Sequence, residues 1–503
     1  MAKNASRDTP LGTAASTPKD MVNNMAKCTI DGREVEFTAG ENLIEIARRV
    51  GVEIPYFCYH PGLSVVAQCR MCAVEVEKMP KLQTACSTPA SDGMIVHTDS
   101  ERAKSNQKSI MEFLLINHPL DCPICDKAGE CDLQENSFKY GDAYMRTSEE
   151  RRTYLDLDMG PVIKKNMNRC IHCTRCIRFG AEVAGVREMV AVSRGNNTEI
   201  TTIDGRPLET DYAGNYADIC PTGSLTLKDF RFHKRAWMLK KTATVCEGCS
   251  KGCNMEIQQD NNVIERCIPR PNMEINRYWL CDEGRFNYHY VNDRSRITAP
   301  TSLGGKTSWT SAVAAAKEAL KGKKVLVLAG SDLTQEEAKL LIEFAPKAFP
   351  GSTLLHFGTP GITATTQDAP ADTLLKRKSK TSNLNGWEKL GVKGADSIPA
   401  GTEAVLVIRG GRAELPNLDG VSTVVAIGVF NESEVAAAKV TLPGTSFSEK
   451  DGTIVNYEGR EQRLRRSINP VGQSKQLGEI LMLWTHSAAA APRPMESVKG
   501  VVA

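Results

Sequence analysis

Sixteen cysteines between Cys58 and Cys281, many in short-spaced groups, constrain this 503-residue chain more than any other feature. Cys28 stands alone before them, and no cysteine follows Cys281. Two kinds of chain are therefore joined in one polypeptide. Scattered at random, the 17 cysteines would give roughly 0.6 pairs at the i, i+3 spacing typical of metal sites. The chain has five: Cys69/Cys72, Cys122/Cys125, Cys170/Cys173, Cys173/Cys176 and Cys246/Cys249. A disulfide framework is the competing use of so many cysteines, but it belongs to short secreted chains. This chain is long and begins without the continuous apolar core of a secretory signal. Metal or cluster ligation is the stronger reading.

The cysteines sort into four ligand sets. Cys58, Cys69, Cys72 and Cys86 form C-x10-C-x2-C-x13-C. They follow a strand, an Asp31-Gly32 turn, a second strand over residues 33–37 and an amphipathic helix with Leu43, Ile44, Ile46, Ala47 and Val50 apolar, an order that suggests a small β-grasp domain. A loop, a close pair and a distant fourth cysteine is how plant-type ferredoxins hold a [2Fe–2S] cluster, although their first gap is shorter and four thiolates also suit zinc. His118, Cys122, Cys125 and Cys131 form H-x3-C-x2-C-x5-C. A lone His beside a Pro is more often a surface or capping residue, but this one precedes a triplet that lacks a nearby fourth thiolate. An imidazole in place of a thiolate makes a [4Fe–4S] site less anionic and raises its reduction potential.

Cys170, Cys173 and Cys176, with Cys220 of a Cys-Pro pair, form the bacterial ferredoxin run with its closing Cys-Pro displaced downstream. It is the most specific of the four motifs and implies one [4Fe–4S] cluster, since no second run is present. His172 inside it reads as a bystander, because four thiolates are already there. Cys246, Cys249, Cys253 and Cys281 form C-x2-C-x3-C-x27-C, which suits a further [4Fe–4S] cluster or a zinc ribbon. Cys28 and Cys267 are left over and read as small buried thiols.

The length implies three or more domains. Lys+Arg 63 against Asp+Glu 60 gives a formal net charge of +3, an ordinary balance that points to no nucleic-acid partner. No run approaches the ~18 apolar residues that span a bilayer. Beyond residue 300, apolar strands at 325–329, 354–357, 405–408 and 424–427 alternate with helical patterns, one opening in Thr334-x-x-Glu337 capping-box form. This reads as an α/β domain with a largely parallel sheet. No G-x-G-x-x-G follows a strand, so the chain is not expected to hold a dinucleotide. Gly304-Gly305-Lys306-Thr307 lacks the rest of a phosphate-binding loop and reads as a linker, and Lys376-Arg377-Lys378-Ser379-Lys380 reads as a solvated loop. Residues 1–26 and 488–503 read as disordered tails.

The ordered series Cys58…Cys69-x2-Cys72…Cys86, His118-x3-Cys122-x2-Cys125-x5-Cys131, Cys170-x2-Cys173-x2-Cys176…Cys220-Pro221 resembles the iron–sulfur region of the G-subunit family of NADH–quinone oxidoreductase, respiratory complex I. The likeness spans about residues 27 to 300. It implies one [2Fe–2S] cluster on the Cys58 set and three [4Fe–4S] clusters on the His118, Cys170 and Cys246 sets. The implied domains are a [2Fe–2S] ferredoxin type over 27–105, a [4Fe–4S] segment with one His and three Cys ligands over 106–150, a ferredoxin-like domain over 151–240, a molybdopterin-oxidoreductase-type cluster domain over 241–300 and an α/β domain over 301–487. It also implies that electrons from NADH reach FMN on a neighbouring subunit, pass the [2Fe–2S], Cys170-set and His118-set centres in that order, and leave for a ferredoxin-like subunit. The Cys246 set lies off that path. No residue here would make or break a substrate bond; the whole complex couples NADH oxidation by quinone to proton translocation. The chain would sit peripherally on the cytoplasmic side of the inner membrane.

Leu442-Pro443, Phe447, Glu449-Lys450-Asp451-Gly452-Thr453, Asn456 and Glu458-Gly459-Arg460 resemble the late part of molybdopterin-oxidoreductase domains, here cut down to a relic. The same N-terminal modules occur in NAD-linked hydrogenases and formate dehydrogenases. A molybdenum enzyme needs a side chain on the metal, and no cysteine follows Cys281. Glu283 stands where catalytic relatives place a Lys, and a hydrogenase active-site domain is missing. Complex I is therefore favoured and no molybdenum cofactor is expected. A hydrogenase or formate dehydrogenase arm is the alternative, and a zinc-binding structural scaffold is the alternative of another class.

Overall fold

The computed structural model describes residues 26–155, 157–362, 368–430 and 438–486. Both tails read as disordered lie outside the described residues, apart from Ala26. The chain divides into two compact units. The first takes residues up to Tyr59, Val65–Leu114 and Asn136–Arg146; the second takes His60–Ser64, Leu115–Glu135 and everything from Thr147 onward.

In the first unit a five-stranded sheet runs in the order Arg33–Phe37, Ala26–Ile30, Met94–His97, Ala73–Val76, Gln83–Thr84. Asp31 at φ +46° and Gly32 at φ +79° make the two-residue turn between the first two strands, both in the left-handed region that such hairpins require. Strand Ala26–Ile30 also pairs parallel with Met94–His97. The helix Leu43–Arg49 buries Leu43, Ile44, Ile46 and Ala47 on the sheet, which accounts for its apolar spacing.

The second unit begins with two short antiparallel pairs, Ile163–Lys165 with Leu225–Leu227 and Met189–Val192 with Glu199–Thr202. A three-stranded antiparallel sheet of Lys240–Val245, Asn254–Asp260 and Val263–Pro269 follows. Its largest element is an eight-stranded sheet in the order Gly305–Lys306, Thr301–Ser302, Val440–Pro443, Thr423–Gly428, Ala404–Arg409, Val325–Gly330, Thr353–Phe357, Lys393–Gly394. The six strands from Val440–Pro443 to Lys393–Gly394 are parallel. Strands Val325–Gly330, Ala404–Arg409 and Thr423–Gly428 are buried at every position, as parallel strands covered on both faces must be. Helix Gln335–Ala348 starts with the expected capping box between Thr334 and Glu337. Among the described residues no helix is long and apolar enough to cross a membrane.

Two sequence readings are corrected. Gly304 to Lys306 is not a linker: Leu303 at φ +49° and Gly304 at φ +78° turn an antiparallel hairpin on the edge of the large sheet. Residues 376–380 are not a solvated loop. Lys376 pairs with Asp211, Arg377 with Asp368 and Lys380 with Glu283, while Ser379 is fully buried. The acids that hold this run lie far away in sequence, so a local reading saw only its charge.

Candidate metal centres

Cys58, Cys69, Cys72 and Cys86 come together in the first unit. The thiols of Cys69 and Cys86 donate to Cys58 and hold it well below the ordinary thiol range; Cys86 does the same for Cys72. The Cys58 N–H reaches Cys69 Sγ at 3.5 Å. Arg70, at φ +59°, turns the Cys69-x2-Cys72 loop back on itself. The Ile44 N–H donates to the Ala85 carbonyl at 3.1 Å, which fixes the helix start against the loop carrying Cys86. Cys28 is apart from them, buried on its strand opposite Val35 and Met94.

In the second unit, Cys170, Cys173, Cys176 and Cys220 line one small cavity together with Arg175, Pro221 and Thr222. His172 (φ +53°) and Thr174 (φ +58°) give the run its tight curl, and the His172 N–H donates to Cys170 Sγ at 3.4 Å. Burial pushes Cys170 up to about 12 and Cys173 up to about 11, so thiolates there require a bound cation, and loading releases protons. The His172 ring is turned away, Nε2 lying 2.9 Å from the Thr198 carbonyl.

The loop that carries Cys220 also walls the His118 set. Cys131 Sγ lies 3.6 Å from the Pro221 carbonyl, and a Cβ added at Gly223 would collide with Cys125 Sγ. On the other side, Arg169 Nη2 pairs with Asp121 at 2.8 Å, joining the neighbours of Cys170 and Cys122. His118 is half-buried beside this pair, its buried Nδ1 has no hydrogen-bond partner, and desolvation with the Arg169 charge pushes it down to about 4. A neutral imidazole with an orphaned buried nitrogen fits a metal ligand. Cys122 is exposed, whereas Cys125 and Cys131 are buried. Gly223 was missed from sequence; its nearness to Cys220-Pro221 was the one available signal.

Cys246, Cys249, Cys253 and Cys281 are all buried, and the Cys246 N–H donates to the Cys253 carbonyl at 2.8 Å. Gly284 separates two of the sulfurs, since a Cβ there would stand 2.8 Å from Cys246 Sγ and 3.4 Å from Cys281 Sγ. Backbone N–H groups face the sulfurs as they do in ligand shells: Gly248 to Cys246 and Gly284 to Cys281, both at 3.3 Å. Arg285, one residue on, is fully buried and pairs with Asp218 of the helix Gly214–Ile219, which leads into Cys220. Cys267 does not join this set. It lies in strand Val263–Pro269 opposite Ile257, fully buried, and its charged neighbours are Arg285 and Asp229. Cys267→Ser is therefore expected to leave iron content unchanged; loss of about four irons would reverse the choice of Cys281. Among the described residues no three His, Cys, Asp or Glu side chains converge as ligands of a single ion.

The carboxyl ends of strands Val325–Gly330 and Ala404–Arg409, where the chain connections diverge, form the crevice in which open parallel sheets take ligands. Here the protein's own charges close it. Lys450 pairs with Glu337 at 2.7 Å, Tyr290 donates to Glu247, and burial with the Asp332 charge pushes Glu247 up to about 8. Asp332, Glu247 and Lys450 crowd Gly410 and Gly411 just past strand Ala404–Arg409, and this set of buried carboxylates with one ammonium does not fit a molybdenum cofactor.

The chain matches several family descriptions in order. Residues 23–101 match a 2Fe-2S iron-sulfur cluster binding domain, 107–144 the NADH-ubiquinone oxidoreductase-G iron-sulfur binding region, and 160–226 the NADH-quinone oxidoreductase subunit 3 ferredoxin-like domain. Residues 239–293 match the molybdopterin oxidoreductase Fe4S4 domain and 411–482 molybdopterin oxidoreductase. The chain is 42% identical to the NADH-quinone oxidoreductase G subunit of Rickettsia felis over 325 residues, 63% of this chain and 48% of that protein. It is 43% identical to the mitochondrial NADH-ubiquinone oxidoreductase 78 kDa subunit of Candida albicans over 279 residues, 55% of this chain and 39% of that protein. The chain thus spans about half the length, or less, of the curated relatives it matches. Among solved structures, an NAD+-reducing [NiFe]-hydrogenase in the H2-reduced state aligns with a TM-score of 0.39 and 28% identity over 42% of this chain and 91% of that one. One [2Fe–2S]-binding domain and several [4Fe–4S]-binding domains therefore make up the cysteine-rich part.

Proposed function

We propose that this chain, with its ordered iron–sulfur domain matches over residues 23–293 and its likeness to NADH-quinone oxidoreductase G subunits, is an electron-relay subunit of such an oxidoreductase. Held by the Cys58, His118, Cys170 and Cys246 sets, one [2Fe–2S] and three [4Fe–4S] clusters supply one-electron carriage. The chain's own residues hold the donors at fixed spacing, exclude water and set the charge around each site. The observation that carries the relay reading is the shared wall: residues 220–223 supply Cys220 to one set and pack against Cys125 and Cys131 of the next. Two redox sites divided by one loop suit transfer between them better than two independent structural sites.

On this reading the donor is an NADH/FMN-binding subunit and the acceptor a ferredoxin-like subunit, in a peripheral arm on the cytoplasmic side of the inner membrane. Coupling to quinone reduction and proton translocation belongs to the whole complex, and the domain bounds read from the sequence are part of the proposal. Anaerobic titration with dithionite tests it. Brown protein that bleaches and recovers on reoxidation is expected, while colourless protein with no reducible centre would be zinc-bound and would end the relay reading.

A further inference from the structure

The basic run at 376–380 has no part in the relay, yet it lies against the fourth cysteine set. Residues 368–383 precede the helix Leu384–Lys389 and are fastened to the loop of Cys246, Cys249 and Cys253 and to the residues beside Cys281. Ser250 Oγ donates to Asp368, and the Ser250 N–H donates to the Ser379 carbonyl at 3.2 Å. Asp368 in turn accepts from the Ser379 N–H at 3.2 Å. The Arg377 backbone N–H reaches the Cys249 sulfur, while its guanidinium lies 3.8 Å over the Tyr457 ring. Tyr212 Oη donates to Asp372 at 2.5 Å, and Lys376 pairs with Asp211, whose carbonyl accepts from the Asp282 N–H at 2.8 Å. Lys380 Nζ stands 2.6 Å from Glu283, two residues past Cys281.

Loop closure alone does not call for this many fasteners aimed at one site. Four buried thiolates are an expensive concentration of negative charge, relieved by N–H donors on sulfur and by nearby cations. We propose that residues 368–383 are a clasp through which the cysteine-free C-terminal domain completes the fourth centre, with Lys380 as the positioning residue that sets that centre's potential. The proposal rests on the reading of the Cys246 set as a [4Fe–4S] site. Arg377 adds a second backbone donor on the Cys249 sulfur, beside the Lys251 N–H that the cysteine loop supplies itself. Lys380 balances the carboxylate that Glu283 places there, and the Asp368–Ser250–Ser379 bonds keep water from the Cys249 side. The α/β domain thereby has a task that needs no ligand of its own.

The test uses the full chain, purified anaerobically with its clusters, as parent, Lys380→Gln, Lys380→Arg and Asp368→Asn. In a redox titration followed by electron paramagnetic resonance, Lys380→Gln is expected to move one [4Fe–4S] signal to lower potential and leave the others in place, and Lys380→Arg to restore it. In air, Asp368→Asn is expected to release about four irons roughly tenfold faster than the parent, the scale typical of losing a partner behind the ligands. Unchanged potentials in Lys380→Gln, or parent-like iron loss in Asp368→Asn, overturn the clasp. A parent that carries one zinc and about four fewer irons instead overturns the cluster reading of this set, and the clasp with it.

Discussion

Replacing Arg296 with methionine is expected to destabilise the second unit by about 3–5 kcal/mol, the cost of stranding a buried charge without its partner. Arg296 and Glu449 pair with side chains 1% and 0% exposed. Glu449 also accepts from the Ser446 and Val471 N–H groups, each at 2.7 Å, so its carboxyl group stays held in place after the guanidinium is gone. Methionine fills much of the volume but brings no charge. A urea midpoint followed by tryptophan fluorescence measures the loss, and Arg296→Met with Glu449→Gln should recover part of it. A midpoint equal to that of the parent would show that the pair contributes nothing. Glu449 lies in the segment that resembles molybdopterin oxidoreductases, so in this chain part of that segment holds the fold together.

His118→Ala and Gly223→Ala are expected to give the same loss from opposite sides: about four irons per chain and one [4Fe–4S] signal, with the other centres intact. The first removes the imidazole whose Nδ1 is buried without a partner. The second leaves every ligand residue in the chain but drives a methyl group into Cys125 Sγ, which must move from its place in the set. Iron analysis with electron paramagnetic resonance reads both. Full iron in His118→Ala would remove His118 from the ligands, and full iron in Gly223→Ala would mean that the loop relaxes around the methyl group.

The cysteine sets and the strands of the large sheet were legible because they repeat at short range. Cys-x2-Cys spacing survives in any fold, and apolar runs such as those at 325–329 and 405–408 mark strands covered on both faces. What the sequence concealed depends on partners distant along the chain. Arg296 meets Glu449, Lys380 meets Glu283, and Gly223 meets Cys125, each a pairing made only once the chain has folded. The hairpin at Gly304 was hidden for another reason. Its strands are two residues long, too short to show an alternating pattern.

The most direct test is to measure iron, acid-labile sulfide and zinc on anaerobically purified protein. One [2Fe–2S] and three [4Fe–4S] clusters require about 14 irons, as many sulfides and no zinc. About 10 irons with one zinc would keep the relay but make the Cys246 set a structural site. Zinc throughout, with no sulfide, would contradict the relay.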